Sequence, residues 1–256
     1  MTSTPPYPAG HNLLAGRTVL VTAAAGTGIG FATAMRCAEE GATVAISDRH
    51  ERRLAESAER LSEVMGTKAV AVPCDVTSEE QVQHLFDTVI SECGHLDVLV
   101  NNAGLGGTAN LAEMTDEQWS SVIDVTLTGT MRCTRAALNR MTSGSIVNNA
   151  SVIGWRAQAG QSHYAAAKAG VMALTRCAAL EAAPMGIRIN AVAPSLAMHE
   201  NLAKVTSDDL LESLTKQEAF GRAAETWEIA NAIIFLASDY SSYMTGEVLS
   251  VSSQHP

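Results

Sequence analysis

Apolar positions along the chain fall into two alternating rhythms. Short β-branched runs read as strands: "RTVLVT" (17–22), "TVAISD" (43–48), "KAVAVPCD" (68–75), "LDVLVNNAG" (96–104), "GSIVNNAS" (144–151), "IRINAV" (187–192) and "EVLSVS" (247–252). Helical patterns lie between them. A small-residue helix follows the first run and ends at Gly41, a C′ position; Leu54, Ala58, Leu61 and Met65 form a stripe closed by Gly66. Thr77 with Glu80, and Thr115 with Gln118, have capping-box spacing. They open a helix closed by Gly94 and a second, longer helix before the fifth strand. An Ala-rich helix is expected over roughly 161–183 and another near 226–238, with an irregular, helix-prone stretch at about 196–220. The near-continuous apolar run at 96–104 suits a strand buried on both faces of a parallel sheet. Strict β/α alternation implies a single-domain α/β protein: a Rossmann-type, doubly wound parallel sheet of seven strands with helices on both faces. It would occupy 13–256, after a Pro-rich leader at 1–12 that is expected to be flexible and outside the fold. Ligands in such sheets bind beyond the carboxyl ends of the strands, so the residues there carry the candidate chemistry.

Composition narrows the classes. The 256 residues are 46% hydrophobic and 17% charged, which fits one large globular domain and excludes a disordered chain. A net charge of −10 argues against nucleic acid or an anionic membrane as partner. Five scattered cysteines with no C-x-x-C pair point to reduced thiols and no metal site. No segment reads as a signal peptide or a bilayer span. A cytoplasmic location is therefore expected.

The first strand runs into "TAAAGTGIG", where Gly26, Gly28 and Gly30 give G-x-G-x-G. The dinucleotide fingerprint is G-x-G-x-x-G, and Phe31 stands at its third glycine. On spacing alone this is either a phosphate cradle, with Gly26, Thr27, Gly28, Ile29 and Gly30 around the anion, or a turn that packs helix on strand. Asp48 ends the second strand. A carboxylate there accepts ribose hydroxyls and repels a 2′-phosphate, favouring NAD over NADP, although Arg49 beside it would welcome that phosphate; the plain alternative is a helix cap. Asp75 and Val76 after the third strand, and Asn102, Ala103 and Gly104 after the fourth, suit an adenine edge and a ribose, or simple turns.

"SVIGWRAQAGQSHYAAAKAG" carries the most specific pattern. Tyr164 and Lys168 lie four apart in a helix-forming stretch and share one face, with Ser151 thirteen residues before the tyrosine at a strand end. A cation beside a phenol makes it more acidic, so Tyr164 can exchange a proton while Ser151 hydrogen-bonds a substrate oxygen.

Jointly, from about residue 13, these residues resemble the short-chain dehydrogenase/reductase family: the glycine loop, "NNAG", Ser151 with Tyr164-x-x-x-Lys168, "RINAVAP" and "TGEVLSVS". The resemblance implies hydride transfer between a nicotinamide cofactor and a carbonyl/alcohol pair, in a homodimer or homotetramer. It makes Tyr164 the general acid/base, assigns Lys168 to the nicotinamide ribose and to the acidity of the tyrosine, and gives Ser151 the substrate oxygen. Pro194 and Ala197 would lie beside the nicotinamide, and 196–220 would be the substrate loop. Three departures stand out. Ala23 follows Thr22 where the family has glycine, with one extra loop residue, so Gly26 is expected to supply the lost freedom. Thr126 occupies the place of an asparagine that anchors a relay water. Pro194-Ser195 replaces Pro-Gly.

More narrowly, "VTAAAGTGIG", "NNASVIGWRAQ", "EAFGRAAE" and "SDYSSYMTGEVLSVSSQHP" resemble a branch acting on coenzyme A thioesters from steroid-ring breakdown, as in cholesterol catabolism. For a fused-ring thioester, Trp155 would offer an apolar wall and Arg156 a cation; packing explains Trp155 equally well. Two alternatives remain open: an NADPH-dependent 3-oxoacyl-thioester reductase, and a dinucleotide-binding regulatory protein with impaired turnover, suggested by Thr126.

Overall fold

The computed structural model describes residues 3–198 and 208–253. The elements run β1 (Thr18–Thr22), α1 (Ile29–Glu39), β2 (Thr43–Asp48), α2 (Glu51–Met65), β3 (Val70–Pro73), α3 (Glu79–Cys93), β4 (Val98–Asn101), α4 (Asp116–Ile123), α5 (Gly129–Leu138), β5 (Gly144–Asn149), α6 (Ser162–Ala182) and β6 (Ile187–Pro194). They continue with β7 (Ala197–Met198), α7 (Asp208–Gln217), β8 (Ala224–Glu225), α8 (Thr226–Ala237) and β9 (Val248–Val251).

Seven parallel strands form one sheet in the order β3-β2-β1-β4-β5-β6-β9. Alternation along β1 divides the core: Val19 and Val21 face a cluster with α1, α2 and α8, and Leu20 faces the opposite cluster with Leu85, Phe86, Ala136 and Ala179. The order reverses at β1, which pairs with β2 on one side and β4 on the other. This opens the crevice beyond the carboxyl ends of β1 and β4. β7 and β8 pair across the stem of the loop expected to meet substrate. The middle of that loop, 199–207, lies outside the described residues.

Gly66 and Gly94 close α2 and α3 in left-handed conformations, φ 67° and 81°, and the Thr115–Gln118 capping box is formed at α4. Three expectations are corrected. The cap of α3 is Ser78, whose hydroxyl accepts from Gln81 N–H, because the Thr77 hydroxyl is drawn to Asp75 Oδ1 at 2.7 Å. The long helix expected after Thr115 is broken by a π-helical turn, Asp124–Thr128, between α4 and α5. Finally, the leader runs along α1 from Tyr7 onward. Tyr7 donates to Glu39 at 2.8 Å, Arg36 Nη1 donates to the Pro8 carbonyl, and the buried Glu40 accepts from the His11 and Leu13 N–H groups. Arg36 Nη2 reaches Glu40 at 2.6 Å, so a buried ion pair is covered by the leader.

Candidate active site

The glycine loop is held from behind. Ala24 N–H donates to Ser47 O, Ala25 N–H to Asp48 Oδ2 at 3.2 Å, and Gly26 N–H to Ser57 Oγ at 3.1 Å. A Cβ on Gly30 would lie 2.4 Å from Asn102 Nδ2 and 2.5 Å from the Ala23 carbonyl, so this glycine permits close packing of helix on strand. A Cβ on Gly26 or Gly28 would meet nothing within 4 Å, so both border open space. Gly28 caps α1 without a side-chain hydrogen bond, and the helix therefore turns uncapped N–H groups toward that space. An open cradle at a bare helix N-terminus fits the diphosphate of a dinucleotide. Thr27 is exposed at its tip and Ile29 begins the helix. Ala23 itself takes the left-handed conformation, φ 49°, and Gly26 adds a second positive φ of 98°. The freedom lost at Ala23 is thus not moved wholly to Gly26: alanine bears it under strain.

Asp48 ends β2 buried, with Oδ1 accepting His50 N–H at 2.9 Å and Oδ2 accepting Ala25 N–H. It both caps the following turn and ties it to the glycine loop, and each oxygen keeps a further lone pair for a ribose hydroxyl. Arg49 is exposed beside it. The Asp75 carboxyl is pushed up by burial, but the Thr77 N–H and hydroxyl, with Arg49 and Arg132 nearby, hold it below the ordinary aspartate value. Val76 is buried behind it.

Beyond β4, Thr22 Oγ1 accepts Asn102 N–H at 3.0 Å and Ala103 N–H at 3.2 Å, and Asn102 Nδ2 donates to the Thr22 and Ala23 carbonyls. A Cβ on Gly104 would lie 3.6 Å from Lys168 Nζ and 3.8 Å from Thr126 Oγ1, so "NNAG" reaches the other half of the site. There the structure brings Ser151, Tyr164 and Lys168 together. Ser151 follows β5 and caps a short 3₁₀ turn. Its hydroxyl donates to the Pro194 carbonyl at the end of β6 at 3.5 Å, and the serine lies near enough to Tyr164 to offset part of what burial does to the phenol. Lys168 Nζ lies 5.5 Å from the centre of the Tyr164 ring and donates to the Asn149 carbonyl at 2.5 Å. Burial pushes the Tyr164 phenol up to about 12, against a smaller lowering by Ser151, and pushes Lys168 down to about 8. In the protein without cofactor, burial thus outweighs the acidification of Tyr164 expected from Lys168.

Trp155 is about half exposed, at 53%, just past Ser151, and Arg156 is half-buried beside it. Ala197 is buried in β7 near Pro194.

An amide ladder went unrecognised. Asn101 and Asn148 pair in register, and Asn101 Nδ2 donates to Asn148 Oδ1 at 2.9 Å; Asn149 Nδ2 donates to Asn102 Oδ1 at 3.0 Å. The tetrapeptide Val-Asn-Asn-Ala, present at both 100–103 and 147–150, was its signal.

A family model described as enoyl-(acyl carrier protein) reductase matches residues 23–253. The chain is 57% identical to a short chain dehydrogenase from Mycobacterium smegmatis whose crystal structure superposes with a TM-score of 0.89, covering 99% of each chain. The chain belongs to the short-chain dehydrogenase/reductase family. It is an oxidoreductase of that family, whose members bind a nicotinamide dinucleotide. It is also 62% identical, over 97% of its length and 96% of the relative's, to the (5R,7aS)-5-hydroxy-7a-methyl-1-oxo-2,3,5,6,7,7a-hexahydro-1H-indene-carboxyl-CoA reductase of Mycobacterium tuberculosis. Identity to the 3-oxoacyl-[acyl-carrier-protein] reductase FabG of Staphylococcus aureus is 37%, over 92% of this chain and 96% of that one. Among the described residues, no helix of this short-chain dehydrogenase/reductase is long and apolar enough to cross a membrane.

Proposed function

We propose that this oxidoreductase interconverts a ring-borne secondary alcohol and its ketone on a coenzyme A thioester derived from steroid-ring breakdown, as in cholesterol catabolism, with NAD as cofactor. The observation that carries the reaction is the convergence of Ser151 and Tyr164, with Lys168 Nζ 5.5 Å from the centre of the same ring. The substrate class is supported by the 62% identity to a reductase of such a thioester. The cofactor preference is supported by the buried carboxylate of Asp48 at the end of β2.

The bound nicotinamide supplies hydride acceptance from the carbinol carbon, and hydride return in reduction. Tyr164 Oη takes the hydroxyl proton in oxidation and gives it back to the carbonyl oxygen in reduction. Ser151 holds that oxygen with its hydroxyl. Lys168, fixed by the Asn149 carbonyl, stabilises the ionised phenol when it forms and presents its remaining N–H donors to the cofactor ribose. We infer a cytoplasmic homotetramer or homodimer; size-exclusion chromatography with light scattering tests the oligomeric state.

The test of function is NADH formation or loss with purified protein and single steroid-ring CoA thioesters. Tyr164→Phe should lower kcat by about 10²–10⁴-fold while leaving NADH binding intact; an active phenylalanine variant would remove the role of the tyrosine. A second reading, an NADPH-dependent 3-oxoacyl-thioester reductase, is favoured by exposed Arg49 next to Asp48. Faster turnover of a linear 3-oxoacyl thioester with NADPH would select it.

A further inference from the structure

Among the described residues, the buried amide oxygen of Asn149, Oδ1, has no hydrogen-bond partner. Its orientation is fixed by its neighbours. Asn102 Nδ2 donates to the Thr22 carbonyl at 3.1 Å and the Ala23 carbonyl at 3.0 Å, so Asn102 Oδ1 is an acceptor. Asn149 must therefore present Nδ2 to it, as it does at 3.0 Å, and flipping the amide would set oxygen against oxygen. The oxygen left over is an acceptor lacking a donor or a positive charge, which a native site retains where a ligand or water supplies one. Asn101 Oδ1 is also unpartnered, but Asn101 is buried within β4, whereas Asn149 is half-buried at the mouth of β5.

Position decides which part of a dinucleotide lies there. Asn149 precedes Ser151 by two residues, and its own carbonyl anchors Lys168. Alternation along β5 sends Asn148 toward α6, where its Nδ2 donates to Thr175, and Asn149 toward the opposite face, which also carries the glycine loop. Asp48, at the end of β2, lies three strands away across β1 and β4, roughly 14 Å at the usual strand spacing. A dinucleotide with its adenosine ribose at Asp48 and its diphosphate over Gly28 therefore extends its nicotinamide end toward Asn149.

We propose that Asn149 is a cofactor-contact residue whose amide lies under the nicotinamide end, with Oδ1 buried beneath it. The partial negative charge of Oδ1 favours the oxidised, positively charged ring over the reduced one. The inference rests on the dinucleotide reading above.

The test is equilibrium binding of NAD, NADH and ADP-ribose, by calorimetry or protein fluorescence, to the wild type, Asn149→Leu and Asn149→Ser. ADP-ribose lacks the nicotinamide but retains every group that the glycine loop and Asp48 would hold. Both variants should weaken NAD about tenfold and NADH about threefold, and leave ADP-ribose within about twofold. An equal loss for all three ligands would mean that Asn149 acts only through Asn102 and the glycine loop, overturning the contact. Unchanged binding of all three would overturn it as well, and equal losses of NAD and NADH would overturn the charge preference. A wild type that binds only the phosphorylated cofactor would refute the NAD reading and not this one. The same comparison is then made with NADP, NADPH and 2′-phospho-ADP-ribose.

Discussion

Thr126 holds Leu105 by both of its backbone polar groups. The Leu105 N–H donates to Thr126 Oγ1 at 3.0 Å, and that hydroxyl donates to the Leu105 carbonyl at 3.2 Å. Its single proton is thereby committed, and Thr126 is fully buried in the π-helical turn between α4 and α5. Here the residue at the expected relay position serves as a clasp on the loop after β4. Thr126→Val should leave two backbone groups unpaired and cost about 1–3 kcal/mol of stability. Thr126→Ser should restore most of it. Urea unfolding of the two variants measures the difference.

Ala23 is strained at φ 49°, with its carbonyl accepting Asn102 Nδ2 and the next residue paired to Ser47. Glycine tolerates that conformation without a Cβ penalty. Ala23→Gly is therefore expected to stabilise the protein by about 1 kcal/mol, even though it loosens the unfolded chain. A shift of the urea midpoint to higher concentration checks this; a shift to lower concentration would show that the neighbours relieve the strain.

The seven strands of the parallel sheet and the spacing of Ser151, Tyr164 and Lys168 were legible because each is written locally, as a β-branched run or a helical spacing. What failed needed information from across the sheet. The Val-Asn-Asn-Ala repeat is visible in the chain, but its meaning depends on register, which sets Asn101 opposite Asn148. The α3 cap moved from Thr77 to Ser78 because Asp75 competes for the Thr77 hydroxyl, a contest that spacing alone does not rank. The leader reads as flexible and outside the fold by composition, yet its His11 N–H, with that of Leu13 just beyond it, satisfies Glu40 beneath Arg36. Sequence proximity of Tyr164 to Lys168 says nothing of burial, which raises the phenol and lowers the lysine in the protein without cofactor.

Asp48 links the glycine loop to the turn after β2 through Ala25 and His50, so its replacement acts in two ways. Asp48→Ala should remove repulsion of a 2′-phosphate next to exposed Arg49. It should also free the loop. The expected outcome is weaker NAD binding, by about tenfold, and a smaller loss or a gain for NADP. Dissociation constants for both cofactors measure it, and an unchanged NAD/NADP ratio would remove the ribose role.

Lys168 makes stability depend on alkaline pH in a defined direction. Burial lowers its folded-state value to about 8, against 10.5 in the unfolded chain. Below pH 8 the lysine is charged in both states, and the cost of burying that charge is fully present. As pH rises from about 8 toward 10.5, the folded protein sheds the proton first and the unfolded chain binds more, so stability rises. The gain is on the order of 3 kcal/mol across that window. Tyr164 works the other way: its value is raised to about 12 from 10.0, so the stability its burial lends is complete below pH 10 and lost as pH climbs through 12. Lys168→Met lacks the first effect and keeps the second. Between pH 7.5 and 9.5, wild-type stability should therefore rise relative to Lys168→Met, read as the difference between their urea-unfolding free energies at each pH. A constant difference across that range would mean that Lys168 keeps its ordinary affinity for the proton in the folded protein.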